Sequence, residues 1–271
     1  MLKAVFWIGI ASAIAPAFAS AHSTECGSAA ASIPHAAPGA VGGREFATRV
    51  ANLEGTARDG EVLAELLAGD LPEHLRHLAP VRLERRVDGG RRVEITLCVM
   101  PDYLSVGSDQ DALLVPMGLP TALEVAARYG FTLPTPRMVD AIYEAAAVKL
   151  DPEPMPAGND MRSTAYVIRH NQLIAAQRAT KHASPDALTA GHKKDLVATA
   201  RLASAPGHVA IYGWHRGPNQ PIQPLSTVHG AGYADYSHGV RLVSKLVYVD
   251  GAPRPIDAVL ADPQIGPLLA D

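Results

Sequence analysis

Three side chains near the C-terminal end of the chain have types that suit hydrolytic chemistry. His229, Asp235 and His238 lie within 20 residues, Gln223–Leu242, that also carry glycines, tyrosines and serines. Imidazole is the commonest general acid or base at neutral pH, and a carboxylate can orient it. Open catalytic zinc sites also use three protein ligands and a water. The sequence therefore predicts that the three residues act together, either as a His/Asp acid–base cluster or as ligands of Zn²⁺.

The spacing of these residues requires a loop. It is H-x5-D-x2-H, which differs from the helical HExxH pattern, and the interleaved glycines oppose a helix. A simpler interpretation is a tight turn region, in which glycine and aspartate serve the backbone and the rings fill the core. A further alternative is a serine nucleophile, Ser226 or Ser237, with a histidine base and Asp235 as orienter. Neighbours such as Ser237 and His238 rarely face each other, and the chain contains no G-x-S-x-G elbow.

Other side chains nearby suit substrate binding. Arg241 has the guanidinium geometry that anchors a substrate carboxylate. Trp214 and Tyr236 could contact the substrate, with Trp214 at the edge of a sugar-binding surface. If the chain is not an enzyme, Tyr212, Trp214, Tyr233 and Tyr236 could bind a polymer or a protein partner in the envelope. Gly191–Asp195 is either an anion-binding strand entrance or a solvated charged turn.

One part of the stretch resembles a known signature. Ser237-His238-Gly239-Val240-Arg241-Leu242 resembles the SHGC-x-R signature of L,D-transpeptidases, which cross-link the cell wall through a cysteine nucleophile. The resemblance implies an action on the cell wall. The family's cysteine is absent, however, because Val240 follows Gly239, so the thiolate chemistry cannot proceed here.

A second resemblance concerns zinc D-alanyl-D-alanine peptidases, whose motif is S-x-H-x-x-G-x-A-x-D. Ser226, His229, Gly232, Ala234 and Asp235 are similar to it, but the serine–histidine and histidine–aspartate separations each differ by one residue. This resemblance implies zinc and a cell-wall peptide as substrate.

The beginning of the chain predicts export. Residues 1–21 have the pattern of a signal peptide, with Lys3, an apolar run over Ala4–Ile14 and small residues after it. We therefore expect a secreted or periplasmic protein with no stable membrane insertion after cleavage. Removal of Lys3 would change the net charge from −3 to −4, a balance that argues against nucleic-acid binding. In an oxidising compartment Cys26 and Cys98 are expected to form a disulfide, and a nucleophilic Cys98 is the alternative.

The chain in between predicts an α+β fold, with a helical N-terminal half that contains a β-hairpin and a mostly antiparallel, β-rich C-terminal half. We expect a flexible leader over 22–43 and one globular domain over 44–271. Strands and helices are predicted in the following places: helices over Glu61–His77, from a Thr121/Glu124 capping box, and from Thr135-Pro136; hairpin strands over Val81–Val87 and Arg91–Val99; later strands over Thr164–His170, Leu196–Leu202, His208–His215 and Val240–Val249.

These patterns together favour one function. We expect an exported hydrolase that acts on an extracellular or cell-envelope polymer, with peptidoglycan as one candidate, through the His/Asp cluster with or without zinc. The alternative is a non-catalytic binding or structural protein of the envelope.

Overall fold

The computed structural model describes residues 26–271, so the predicted signal peptide lies outside the described residues. The α+β prediction is confirmed, with most helices in the N-terminal half and most strands in the C-terminal half. The α-helices of the described chain are α1 (Gly43–Arg49), α2 (Gly55–Leu67), α3 (Leu119–Tyr129), α4 (Pro136–Ala145), α5 (Thr164–Thr180), α6 (Ile256–Leu260) and α7 (Gly266–Leu269).

The strands are short except for the first two. They are β1 (Ala79–Arg86), β2 (Arg92–Val99), β3 (Ser105–Gly107), β4 (Ala112–Leu114), β5 (Phe131–Thr132), β6 (Val148–Lys149), β7 (Thr189–Ala190), β8 (Lys194–Leu196), β9 (Ile211–His215), β10 (Pro221–Ser226), β11 (His238–Gly239), β12 (Val243–Ser244), β13 (Leu246–Val249) and β14 (Ala252–Pro255).

Two sheets organise these strands. The six-stranded sheet has the order β14-β13-β2-β12-β5, and β1 pairs with β2. The four-stranded sheet has the order β10-β9-β8-β11, in which β11 runs parallel to β8 and the other pairs are antiparallel. Two further pairs, β3-β4 and β6-β7, lie outside these sheets. The four-stranded sheet carries the predicted site, because His238 begins β11.

The predicted hairpin is confirmed as β1 and β2. The pairing is antiparallel from Ala79↔Val99 to Arg86↔Arg92, and Gly89 takes a positive φ of 79° in the turn. The buried side chains of β2 include Ile95 and Leu97, both fully enclosed. Alternation of apolar and polar residues on β1 therefore marks one buried face, as the pattern predicts.

Two of the three predicted helix-end signals are present in the structure. Thr135 caps α4 by accepting a hydrogen bond from the Met138 backbone N–H, and Gly130 ends α3 in the left-handed conformation, both as predicted. The capping box at Thr121 is wrong, because α3 already begins at Leu119 after Gly118. Proline at the first turn of α3 favours that earlier start.

The strand predicted over Thr164–His170 is wrong, because these residues begin the 17-residue helix α5. The run Tyr166-Val167-Ile168 has strand-type residues, but the spacing of Val167, His170 and Ile174 places them on one buried face of a helix. Ser163 supplies the cap by accepting from the Tyr166 backbone N–H. The strand predicted over Leu196–Leu202 is wrong beyond Leu196, where β8 ends, because Ala200–Ser204 form a 3-10 helix. The strands β9, β12 and β13 each cover only part of the other expected ranges.

The described part of the predicted leader packs against the rest of the chain. Cys26 and Ile33 are each 2% exposed, and the predicted disulfide between Cys26 and Cys98 is present. Ser32 donates its hydroxyl hydrogen to the Tyr129 carbonyl at the end of α3. These residues of the leader thus contact the core, and the division into a leader over 22–43 and a domain over 44–271 stays a prediction. In residues 26–271, no helix is both long and apolar enough to cross a membrane.

Candidate active site

His238 and Lys194 are neighbours across the parallel pair β11 and β8. They are register partners, so their side chains leave the sheet on the same face. Lys194 is also the register partner of Gly213 on β9. The next pair, Gly239 and Asp195, therefore faces the opposite side. This alternation separates a face with His238 and Lys194 from a face where Asp195 accepts a hydrogen bond from the Tyr103 hydroxyl at 2.9 Å.

Asp235 lies in the loop before β11 and is held by three donated hydrogen bonds. Its Oδ1 accepts from the Ser237 backbone N–H at 2.8 Å and from the Ser237 hydroxyl at 2.6 Å, and its Oδ2 accepts from the Tyr233 hydroxyl at 3.0 Å. Burial alone would raise the pKa of Asp235, but His238 and the Ser237 donors hold this pKa below its usual range. The carboxylate is therefore fixed in place and ionised at neutral pH.

His238 is the buried partner of this carboxylate. Its Nε2 lies 4.0 Å from Asp235 Oδ2, its side chain is enclosed, and neither ring nitrogen has a hydrogen-bond partner. Burial lowers the pKa of His238 to about 4, and the nearby Asp235 only partly opposes that shift. A neutral imidazole with free nitrogens results, which is unusual because buried polar groups are normally hydrogen-bonded.

His229 and Tyr233 extend the cluster to the surface. Their rings stack with centroids 4.0 Å apart and planes 9° apart, and both residues are partly exposed. The ring centroids of His229 and His238 are 6.3 Å apart, and those of Tyr233 and His238 are 5.6 Å apart. The loop thus brings His229, Asp235 and His238 together, with Tyr233 as an additional member. We call these four residues the His/Asp cluster.

The two serines considered as nucleophiles have other contacts. Ser237 is fully buried, and its hydroxyl donates to Asp235, not to a histidine. The Ser226 hydroxyl accepts from the Val228 backbone N–H at 3.4 Å. Val240, at the position of the L,D-transpeptidase cysteine, is fully buried in the apolar core. None of these contacts pairs a nucleophile with a base.

Beneath the cluster, Lys193 joins the site loop to helix α5. Its Nζ donates to the Tyr236 carbonyl at 2.6 Å and lies 3.1 Å from His170 Nδ1. Burial lowers the pKa of Lys193 to about 7. Most charged or titratable side chains of Gly191–Asp195 lie in the interior, because His192, Lys193 and Asp195 are at most 3% exposed. The sequence predicts either an anion site or a solvated turn at Gly191–Asp195. Among the residues of this segment, Lys194 alone is partly exposed.

The predicted substrate-binding residues lie mostly in the interior. Trp214 and Tyr236 are 4% and 2% exposed, and the Tyr236 hydroxyl contacts the backbone of Met155. Arg241 is fully buried and donates to the Met100 carbonyl at 2.8 Å and the Thr189 carbonyl at 2.5 Å. Its guanidinium also lies over the Tyr103 ring. Its role as a substrate anchor stays a prediction that these contacts do not support.

The buried carboxylate of Asp102 lies beside a cavity. Asp102 pairs with Arg178, and its Oδ1 is 3.2 Å from His192 Nε2. Although burial favours the neutral acid, Arg178 and His192 hold the pKa of Asp102 well below its usual range. Asp102 and Arg178 line a cavity of about 500 Å³ together with Ser105 and Asp109. This cavity includes no residue of the His/Asp cluster, and the spacing in the sequence did not reveal the Asp102–Arg178 pair.

A metal ion has no ready set of ligands in this arrangement. Over residues 26–271, no group of three or more histidine, cysteine, aspartate or glutamate side chains is arranged to hold one. His238 has free nitrogens, but both Asp235 oxygens already accept hydrogen bonds. Imidazole and carboxylate are ligand types that zinc prefers, but the side chains of His229, Asp235 and His238 are not arranged to bind it.

Comparisons with protein-family descriptions, curated proteins and solved structures give no match to this chain. The functional argument therefore depends on the geometry of the site.

Proposed function

We propose that the chain is an exported hydrolase that acts on an extracellular or cell-envelope polymer, with His238 as its base. Peptidoglycan is one candidate substrate. The observation that carries the proposal is a buried His238 with two unpartnered ring nitrogens, 4.0 Å from a fixed carboxylate. Unsatisfied buried polar groups are costly, and they persist where function requires them.

The neutral state of His238 suits a base. With a pKa of about 4, the imidazole is unprotonated at neutral pH, and it can take a proton from a water molecule that reaches the enclosed ring. The hydroxide equivalent then bonds to the electrophilic centre of the polymer, and the bond to the leaving group breaks. Asp235 stabilises the imidazolium that forms, as the carboxylate does in other His/Asp pairs.

The leaving group also needs a proton. The His238 imidazolium can return its proton to the departing oxygen or nitrogen, which restores the neutral base. His229 is the partly exposed histidine of the cluster, close to His238. Tyr233 holds His229 by ring stacking and Asp235 by its hydroxyl hydrogen bond, so it links the two halves of the cluster. Tyr233 is thereby a positioning residue.

Zinc stays an alternative within this proposal. If it binds, His229, Asp235 and His238 would be its ligands, and it would supply a bound water of low pKa. Because the present arrangement does not fit a metal, we route no step through zinc. Metal analysis of the purified protein tests this alternative directly.

Two findings support the exported part of the proposal. The Cys26–Cys98 disulfide is typical of oxidising compartments. Residues 1–21 have the signal-peptide pattern, although they lie outside the described residues.

The test is polymer digestion by matched variants. Purified protein is incubated with isolated cell-wall sacculi and with soluble wall polymers, and released fragments are measured by mass spectrometry. We expect His238→Gln to reduce the rate by about 10²–10⁴, the usual contribution of a general base. His35→Gln is the control, because His35 is an exposed histidine remote in sequence from the cluster.

The proposal fails if replacing His229, Asp235 and His238 together leaves the measured hydrolysis unchanged. Retention on the wall without any released fragment would support the binding-protein alternative. Stoichiometric zinc that is lost in His229→Ala would assign these residues as metal ligands and replace the metal-free mechanism.

A further inference from the structure

Lys194 is a partly exposed cation that Asp235 attracts without forming an ion pair with it. It forms no ion pair with any residue of the described chain, and its ammonium lies over the Trp214 ring, 5.0 Å from the centroid. The fully buried Arg241, by contrast, donates to two carbonyls. Removing a charge from water without a partner is unfavourable, so the free ammonium needs an explanation.

Asp235 is the carboxylate that acts on Lys194, and its attraction opposes the lowering of the Lys194 pKa by burial. Lys193 lies next to Lys194 in sequence beneath the cluster, and the Arg162 guanidinium lies over the Tyr233 ring. The cluster supplies one carboxylate, Asp235, whose two oxygens accept from Ser237 and Tyr233.

The tryptophan whose ring lies beneath the ammonium also carries a buried donor. The Trp214 indole Nε1–H is buried without a hydrogen-bond acceptor. Trp214 takes a positive φ of 58°, a conformation that costs a bulky residue energy and clusters at functional sites. Three groups here therefore lack an oxygen acceptor. They are the Lys194 ammonium, the Trp214 indole N–H and the ring of His238.

We infer that Lys194 binds an oxyanion of the substrate, a carboxylate or a phosphate, on the same sheet face as His238. The inference deepens the proposed function, because it names the chemistry of the group that lies next to the scissile bond. The register pairing of Lys194 with His238 places the anion beside the base. A polymer with free carboxylates or phosphodiesters meets this requirement, whereas a neutral glycan does not.

The test measures anion binding without hydrolysis. The chain has two tryptophans, and Trp7 lies in the predicted signal peptide, so Trp214 is the sole indole reporter of the cleaved protein. Its fluorescence is titrated with inorganic phosphate and, separately, with N-acetylglycine, at constant ionic strength made up with chloride. We expect saturable binding of at least one of these probes, and the stronger probe distinguishes phosphate from carboxylate recognition.

Matched variants assign the binding to one side chain. Lys194→Gln should weaken the affinity by about tenfold, the equivalent of one charge-assisted hydrogen bond. Lys194→Arg should retain most of it, and Lys181→Gln, which removes an exposed cation after α5, should have no effect. Thermal unfolding of each variant confirms that the fold is intact.

The outcomes separate this inference from the proposed function. No saturable response to either probe, or equal affinity in Lys194→Gln, overturns the inference even if the protein hydrolyses a polymer. Binding that depends on Lys194 and persists in His238→Gln supports the inference, even if no polymer is ever cleaved.

Discussion

The ring of Tyr103 occupies the space that any side chain at position 239 would need. A Cβ built on Gly239 would lie 2.7 Å from Tyr103 Cδ1 and 2.9 Å from Lys193 Cβ, both closer than real contacts. The backbone of β11 can therefore approach Tyr103 and Lys193 only because residue 239 is glycine. The glycine of the SHG sequence is thus explained by packing on the face opposite His238.

This contact predicts the effect of Gly239→Ala. The added methyl group must displace the buried Tyr103 ring or the strand, so we expect a loss of about 1–3 kcal/mol in the free energy of unfolding. Denaturant unfolding measures it. Gly232→Ala in the same loop meets no atom within 4 Å and should change stability by less than about 0.5 kcal/mol. Equal effects of the two substitutions would contradict the close-packing argument.

The burial of His238 predicts a shifted pH dependence. Its pKa is about 4 in the folded protein against an ordinary 6.5, and the groups that face it are Asp235, Lys194, His229 and Lys193. The base therefore stays unprotonated at mildly acidic pH, and the acid limb of kcat/KM should lie near pH 4–5. An NMR titration of the His238 ring checks the same value, and a midpoint near 6.5 would refute it.

The lowered pKa of His238 also predicts how the stability of the protein changes with pH. Between pH 6.5 and 4 the unfolded chain binds a proton at His238 that the folded chain does not. The free energy of unfolding should therefore decrease as the pH falls through this window. In His238→Gln this component is absent, so the decrease should be smaller than in the wild type.

Arg241 is predicted to act on stability and not on substrate affinity. Arg241→Lys loses the fork that reaches two carbonyls, those of Met100 and Thr189, so at least one buried acceptor loses its donor. We expect a cost of about 1–3 kcal/mol in the free energy of unfolding. Arg201→Lys, at an exposed arginine, is the control and should be nearly neutral. A raised KM with unchanged stability would instead restore the predicted role of Arg241 as a substrate anchor.

The disulfide is predicted to make a large contribution to stability. It closes a sequence separation of 72 residues, for which loop entropy gives about 4 kcal/mol. We expect Cys26→Ser with Cys98→Ser to lower the free energy of unfolding by about that amount, measured by denaturant unfolding. The reducing agent dithiothreitol should reproduce the loss in the wild type and have no effect on the double variant.

The sequence was informative where the signals are local. The hairpin of β1 and β2, the Thr135 cap and the composition of the His229–His238 loop all depend on residues close together in the chain. Helix α5 was missed because strand-type residues at its start outweighed a helical spacing completed only further along the chain. The pairing of Lys194 with His238 was also missed, because strands so short and so far apart carry no pattern that predicts a parallel register.

The disulfide has a consequence for how the chain responds to cleavage. Cys98 lies on β2, the strand that pairs with β1, β12 and β13, and Cys26 lies ahead of α1. A protease that cuts anywhere between these two cysteines would therefore produce two fragments that stay covalently joined. The nicked molecule should run as one band in a non-reducing gel and as two after reduction, so a single non-reduced band would not prove an uncut chain.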